Sequence, residues 1–94
     1  MEHKESFMRY MKSFADGYML IVTSKNPEEL SEPTIDYDDI SSIGFCDGFN
    51  YGDYCVRIGC QFDINNDHFI AEMDKRFTTI PRRQEEHKKE FGRR

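Results

Sequence analysis

The chain has 94 residues, with 13 Lys plus Arg, 18 Asp plus Glu and a net charge of −5. This length allows one small domain, and 14% aromatic residues favour a packed core over disorder. The longest apolar run, residues 18–22, is far shorter than the roughly 18 residues of a membrane span, and the start of the chain does not resemble a signal peptide. Since the three cysteines form no C-x-x-C motif, we expect a cytoplasmic protein with reduced thiols and no membrane contact.

The charges are unevenly distributed along the sequence. Residues 26–74 carry twelve acids and one base, and residues 75–94 carry eight bases and three acids. A strongly acidic centre repels phosphate, so we expect no direct nucleic-acid binding by the folded core. The same charge favours a protein partner with a basic surface, although acidic side chains are also common on ordinary solvated faces.

The first predicted element is an amphipathic helix over residues 3–24. Its apolar positions share one third of a helical wheel: Phe7, Tyr10, Met11, Phe14, Tyr18, Ile21 and Val22. From Phe7 to Ile21 their spacing alternates between four and three residues, which is typical of a helix packed along another helix, and we expect an antiparallel pair.

A short helical turn and a long second helix are predicted next. Asn26 and Pro27 form a helix-start signal, and Thr34 is the expected N-cap of the second helix, whose apolar pattern extends from Tyr37 to Phe62. The glycines of this segment recur every fourth residue at positions 44, 48 and 52, so they would line one side and admit a partner backbone. The form F-x-D-G-aromatic occurs twice, at residues 14–18 and 45–49.

An alternative interpretation of the same segment is a β-sheet. Apolar and polar residues alternate from Val56 to Ile64, and Asp47-Gly48 is a hairpin signal. Glycines also lower helix propensity by about 1 kcal/mol each. We favour the helix because its pattern is longer, extending over Tyr37–Phe62, whereas the strand pattern holds only after Tyr54.

A third helix is predicted over residues 69–80, ended by Pro81, and followed by a basic tail. The expected fold is therefore mainly α: a helical hairpin plus a third helix in a single domain, residues 1–81, with a basic, mobile C-terminal tail, residues 82–94. The alternative is an α+β domain with a small antiparallel sheet between terminal helices.

One segment resembles a calcium-binding loop in part. Asp63, Asn65 and Asp67 occupy ligand positions of such a loop, but His68 replaces its glycine and Asp74 its final glutamate. The simpler interpretation is a polar connection that caps the third helix, so we predict no metal or other cofactor. No nucleotide-binding or nucleophile motif is present, and we expect a protein that is not an enzyme.

The remaining candidate residues lie on the second helix. Its two apolar stripes exceed what one neighbouring helix covers, which indicates interface or ligand contacts at Phe45, Phe49, Tyr51 and Val56. We predict a small acidic interaction module that self-associates and binds a basic protein surface; in size and acidity it is similar to small phage-encoded inhibitors, which suggests a regulator or inhibitor. The alternative is an oligomer that binds a small or nucleotide-like molecule in a glycine-lined pocket between subunits.

Overall fold

The computed structural model of the protein describes residues 2–59 and 66–91. In chain order the elements are α1 (Glu2–Val22), a 3-10 turn (Pro27–Glu29), α2 (Ile40–Arg57), α3 (Asp67–Phe77) and α4 (Ile80–Phe91). Neither described range contains a β-strand. The mainly α prediction is therefore confirmed, and no helix in these ranges is long and apolar enough to cross a membrane.

Helix α1 forms where its periodicity predicts it. The inward-facing side chains of Tyr10, Phe14, Tyr18 and Ile21 are each at most 1% exposed. Full burial of side chains this large stabilises the fold by about 1.5–3 kcal/mol each. This stripe therefore supplies much of the core.

Helix α2 begins later than predicted, because aspartates compete for its first turn. The Asp36 carboxylate accepts a hydrogen bond from the Asp38 amide at 3.0 Å, and the Ser42 hydroxyl accepts one from the Asp36 amide at 2.8 Å. These local bonds hold the backbone in a turn instead of a helix. The N-cap is Asp39, which accepts from the Ser41 amide at 3.0 Å, so the prediction of Thr34 as the cap is wrong.

Helices α1 and α2 run parallel, not antiparallel as the predicted hairpin requires. From the N-terminus to the C-terminus of α2, glycines 44, 48 and 52 lie against residues 10, 14 and 18 of α1, in the same order. Contacts that advance together along both chains define a parallel pair. The connection of residues 23–39 allows this, because it runs back along the pair, where the Cys46 thiol donates to the Pro33 carbonyl at 3.7 Å.

The predicted close approach at the glycines is confirmed, and α1 is the partner. A Cβ atom on Gly44 would lie 2.7 Å from the Tyr10 carbonyl oxygen, and one on Gly48 would overlap the Phe14 carbonyl. A Cβ on Gly17 of α1 would in turn overlap the Phe45 carbonyl. The two F-x-D-G segments thus meet where the helices are closest, and each supplies a glycine to the other's backbone.

Helix α2 ends at Arg57, short of the predicted Phe62. Ile58 is its C-cap, and Gly59 adopts a left-handed conformation with φ of 70°, which commonly ends a helix. The strand interpretation is wrong for Val56 and Arg57, which are helical, and for Ile58 and Gly59, which form a turn. Beyond residue 59, the helical pattern to Phe62 and the strand pattern to Ile64 lie outside the described residues.

A fourth helix replaces part of the predicted tail. Helix α3 ends at Phe77, and α4 begins at Ile80 with Pro81 as its second residue. Backbone amides in the first turn of a helix have no acceptor within the helix, so the amide proton that proline lacks is not needed there. Pro81 therefore starts a helix instead of ending one, and residues 82–91 belong to α4.

The core is an aromatic layer between α1, α2 and α3. Phe69 of α3 packs edge-on against Phe14 and Tyr18, with ring centroids 5.4 and 4.9 Å apart, and Phe77 lies 5.2 Å from Tyr10. Since rising numbers in α3 meet falling numbers in α1, α3 runs antiparallel to α1.

Candidate functional site

The most acidic surface is the second part of the connection between α1 and α2, residues 26–39, which we call the acidic strap. It carries six acids and no base. All six side chains are exposed, and among the described residues none of them forms an ion pair. The six are Glu28, Glu29, Glu32, Asp36, Asp38 and Asp39.

The backbone of the acidic strap is fastened to two helices. On the α2 side, Cys46 and Ser42 hold Pro33 and Asp36 through the hydrogen bonds described above. On the α4 side, the Gln84 amide donates to the Tyr37 carbonyl at 2.6 Å, and the His87 ring stacks on the Tyr37 ring at 4.4 Å. These contacts fix the backbone of the strap at residues 33–37, and Glu28 and Glu29 belong to the 3-10 turn that precedes them.

Among the described residues, the buried charge is that of Asp47 of α2. The Asp47 side chain is 5% exposed. Arg83 of α4 donates to both of its oxygens, at 3.0 and 2.8 Å, and the Tyr10 hydroxyl of α1 donates to one of them at 2.6 Å. Three helices are thus joined at one carboxylate.

The polar groups of Asp47, Arg83 and Tyr10 are hydrogen-bonded to one another. Burial raises the pKa of Tyr10 above its ordinary value, and the Asp47 charge raises it further. The hydrogen bond to Asp47 raises the pKa of Arg83, whose guanidinium also donates to the Thr79 hydroxyl at 3.1 Å and the Arg76 carbonyl at 3.2 Å. The arrangement fixes the position of α4 against α1 and α2.

The four predicted contact residues divide into two pairs. Phe49 and Tyr51 are buried, at 5% and 2% exposure, whereas Phe45 and Val56 are half-buried. Tyr51 belongs to the aromatic core and stacks on Tyr18 at 5.8 Å. The glycine-lined face proposed for a ligand is filled by α1 within one chain.

The calcium-like segment is described only from Asn66 onward. Asn66 is the N-cap of α3, and its side chain accepts from the His68 amide at 2.7 Å, as the capping interpretation predicts. The His68 Nδ1 atom lies 3.1 Å from the Tyr51 hydroxyl. Within the described ranges no three potential ligands cluster around a metal position, and Asp63 and Asn65 lie outside those ranges.

The pairing of Asp47 with Arg83 was missed from the sequence. The sequence predicts Arg83 to lie in the tail, because the segment after Pro81 has little apolar content. A signal did exist, since Asp47 falls between Ile43 and Tyr51 on the helical wheel of α2. An acid on an apolar arc needs a buried partner, but the wheel does not say which one.

Comparison with protein families, curated protein sequences and solved structures finds no match for this chain.

Proposed function

We propose that the protein is a small non-enzymatic interaction module, a regulator or inhibitor, whose acidic strap binds a basic surface of another protein. The observation that carries this proposal is the combination of six exposed carboxylates without ion pairs and a backbone fastened by α2 and α4. A surface held in one conformation loses less entropy on binding than a mobile one. Complementary charge also accelerates the encounter with a basic partner and discriminates against acidic ones.

The non-enzymatic part of the proposal is supported by how the buried polar groups are used. Asp47, Arg83 and Tyr10 satisfy one another, and every buried side-chain nitrogen and oxygen atom among the described residues has a hydrogen-bond partner. A catalytic acid, base or nucleophile must also face a cleft that admits a substrate, whereas Asp47 is only 3% exposed. The exposed carboxylates lie in water, where they act through charge.

A cytoplasmic location is part of the same proposal. Cys46 is a buried free thiol, and burial raises its pKa above the ordinary value. A neutral, shielded thiol is poorly reactive, and unpaired cysteines are typical of reducing compartments.

The test uses two triple variants with the same change of charge. In the strap variant Glu28, Glu29 and Glu32 become Gln; in the control variant Glu85, Glu86 and Glu90 of α4 become Gln, and all six positions are exposed. The probe is a ten-residue lysine peptide, titrated by calorimetry at low and at physiological salt. We expect the strap variant to bind about tenfold more weakly than the wild type, a loss of about 1.4 kcal/mol.

The control variant should bind like the wild type, and its affinity should fall as salt rises. Equal weakening of both variants would show that only net charge matters, and would refute the strap as the binding surface. Absence of binding by the wild type at low salt would also refute it.

A further inference from the structure

A second surface, on α1 and α3, is apolar instead of acidic. Met8 and Met19 of α1 and Ile70 of α3 are 56%, 42% and 43% exposed. Between the two helices lies an open groove of about 360 Å³, lined on its inner side by Met11, Phe69 and Met73. Methionine side chains adapt their shape to a partner, so such a groove suits a packed helix.

Four residues on the outer side of α1 form a stripe that we call the outer seam: the exposed Met8, Lys12 and Met19 and the half-buried Ala15. Their spacing of four, three and four residues is that of a coiled-coil contact line. This stripe is separate from the inward one, whose members lie in the core. The half-buried Ala15 near its middle allows another helix to approach closely.

The outer seam is complementary to a reversed copy of itself. When two copies of α1 are placed antiparallel about a two-fold axis between residues 13 and 14, Met8 faces Met19 of the other copy, and Lys12 faces Ala15 and the adjacent Asp16. A two-fold axis makes every such contact twice. In a parallel pair, Lys12 would instead face Lys12, and Asp16 would face Asp16.

Lys12 of the outer seam and Asp16 beside the seam are available for such a contact. The Lys12 and Asp16 side chains are 80% and 58% exposed, and within one chain they are joined only by a 3.4 Å contact. An exposed pair of this kind contributes little to folding. Exchanging it for two pairs between copies therefore costs the monomer little.

We infer that a second copy of this chain docks on the outer seam, with its α1 antiparallel to the first. The inference rests on the spacing of the seam residues, the apolar groove, and the match of Lys12 with Asp16 of a reversed copy. The contact buries Met8, Met19 and Ile70 of both copies and forms a helical bundle across the two-fold axis. The outer seam shares no residue with the acidic strap, so either proposal can fail without the other.

The first test compares two neighbouring positions of similar exposure. Met19 is on the seam, and Leu20, which is 45% exposed, is off it. Sedimentation equilibrium should show a wild-type dimer that dissociates on dilution. Met19→Lys should raise the dissociation constant at least about tenfold, and Leu20→Lys should leave it within about twofold. Thermal unfolding followed by circular dichroism checks that both variants fold.

The second test exchanges charges between copies. Lys12→Asp places acids at both positions 12 and 16, and Asp16→Lys places bases at both, so each variant alone should be a monomer. An equimolar mixture should form a heterodimer, because the opposite charges now lie on different copies. In the same register, Met8→Cys mixed with Met19→Cys should give a disulfide between positions 8 and 19 under mild oxidation.

Three results would overturn the inference that two copies dock on the outer seam. One is a wild type that stays monomeric up to about 1 mM, since a weaker contact is not a stable interface. The others are equal effects of Met19→Lys and Leu20→Lys, and a mixture of charge variants that remains monomeric.

Discussion

At the scale of single residues, the contact between Asp47 and Arg83 dominates the polar interior. Asp47 is buried, and both of its oxygens accept from Arg83. Removing one partner of such a pair leaves an uncompensated charge and typically costs about 3–5 kcal/mol, whereas removing both costs less. A large share of a small domain's stability therefore depends on one arginine of α4.

Arg83→Met is the direct test of this contact. We expect it to lower the free energy of unfolding by about 3–5 kcal/mol, measured by urea denaturation, because Asp47 would stay buried without its cation. The exposed neighbour Arg82→Met should change it by less than about 0.5 kcal/mol. In the double variant with Asp47→Asn, part of the loss should be recovered, and additive losses would contradict the pairing.

Two buried tyrosines make the stability depend on alkaline pH. Burial raises the pKa values of Tyr10 and Tyr51 above the ordinary value of about 10. The unfolded chain therefore loses these protons near pH 10, while the folded chain keeps them. The stabilisation is complete below that pH and falls above it by up to about 1.4 kcal/mol per pH unit for each tyrosine.

The measurement is urea denaturation between pH 8 and 11 for the wild type and for Tyr10→Phe, Tyr51→Phe and Tyr54→Phe. The first two variants should show a shallower fall above pH 10, and Tyr54→Phe should match the wild type because Tyr54 is 57% exposed. Cys46, whose pKa is also raised by burial, acts in the same direction in all four proteins. An unchanged fall in both buried-site variants would contradict the assignment.

At the scale of elements, periodicity predicted the helices better than their ends or directions. The inward stripe of α1 and the glycine spacing of α2 were sufficient to predict these two helices and their contacting faces, because each sequence pattern maps onto one helix face. The start of α2 depended on side-chain bonds of Asp36 and Asp39, which compete with helix formation. The parallel direction depended on where the connection runs, and no periodicity within a helix records that.

The close contact of α1 and α2 predicts an unusual response to a mild substitution. Gly→Ala normally favours a helix by about 1 kcal/mol. At Gly48 the added Cβ overlaps the Phe14 carbonyl, so the helices must separate, and we expect a net loss of about 2–3 kcal/mol. Circular dichroism during thermal unfolding measures it.

Gly59→Ala serves as the comparison for Gly48→Ala. A Cβ at Gly59 meets no atom of the described residues within 4 Å, and the left-handed backbone conformation, with φ of 70°, opposes the change. That strain costs about 1–2 kcal/mol. A Gly48→Ala protein as stable as the wild type would show that α1 and α2 are farther apart than described.

At the scale of the whole molecule, the question is how many residues the domain needs. The sequence indicated a boundary at residue 81, because the segment that follows is basic and has few apolar residues. The structure continues through α4, which contributes Arg83 to Asp47 and Gln84 to the backbone of the acidic strap. Polar contacts of this kind leave no hydrophobic periodicity, which is why the pattern of apolar residues did not identify α4 as part of the domain.

Ending the chain at Pro81 tests this boundary. The criterion is whether the effect of Asp47→Asn on the free energy of unfolding changes sign between the full and the shortened chain. The 1–81 chain loses the cation for Asp47, so we expect it to be less stable than the full chain by about 3–5 kcal/mol. In the full chain Asp47→Asn should destabilise, because it removes the partner of Arg83. In the 1–81 chain the same substitution should stabilise, because it removes a buried charge that nothing compensates. Urea denaturation of the four proteins gives both differences, and a destabilising Asp47→Asn in the short chain would mean that α4 does not neutralise Asp47.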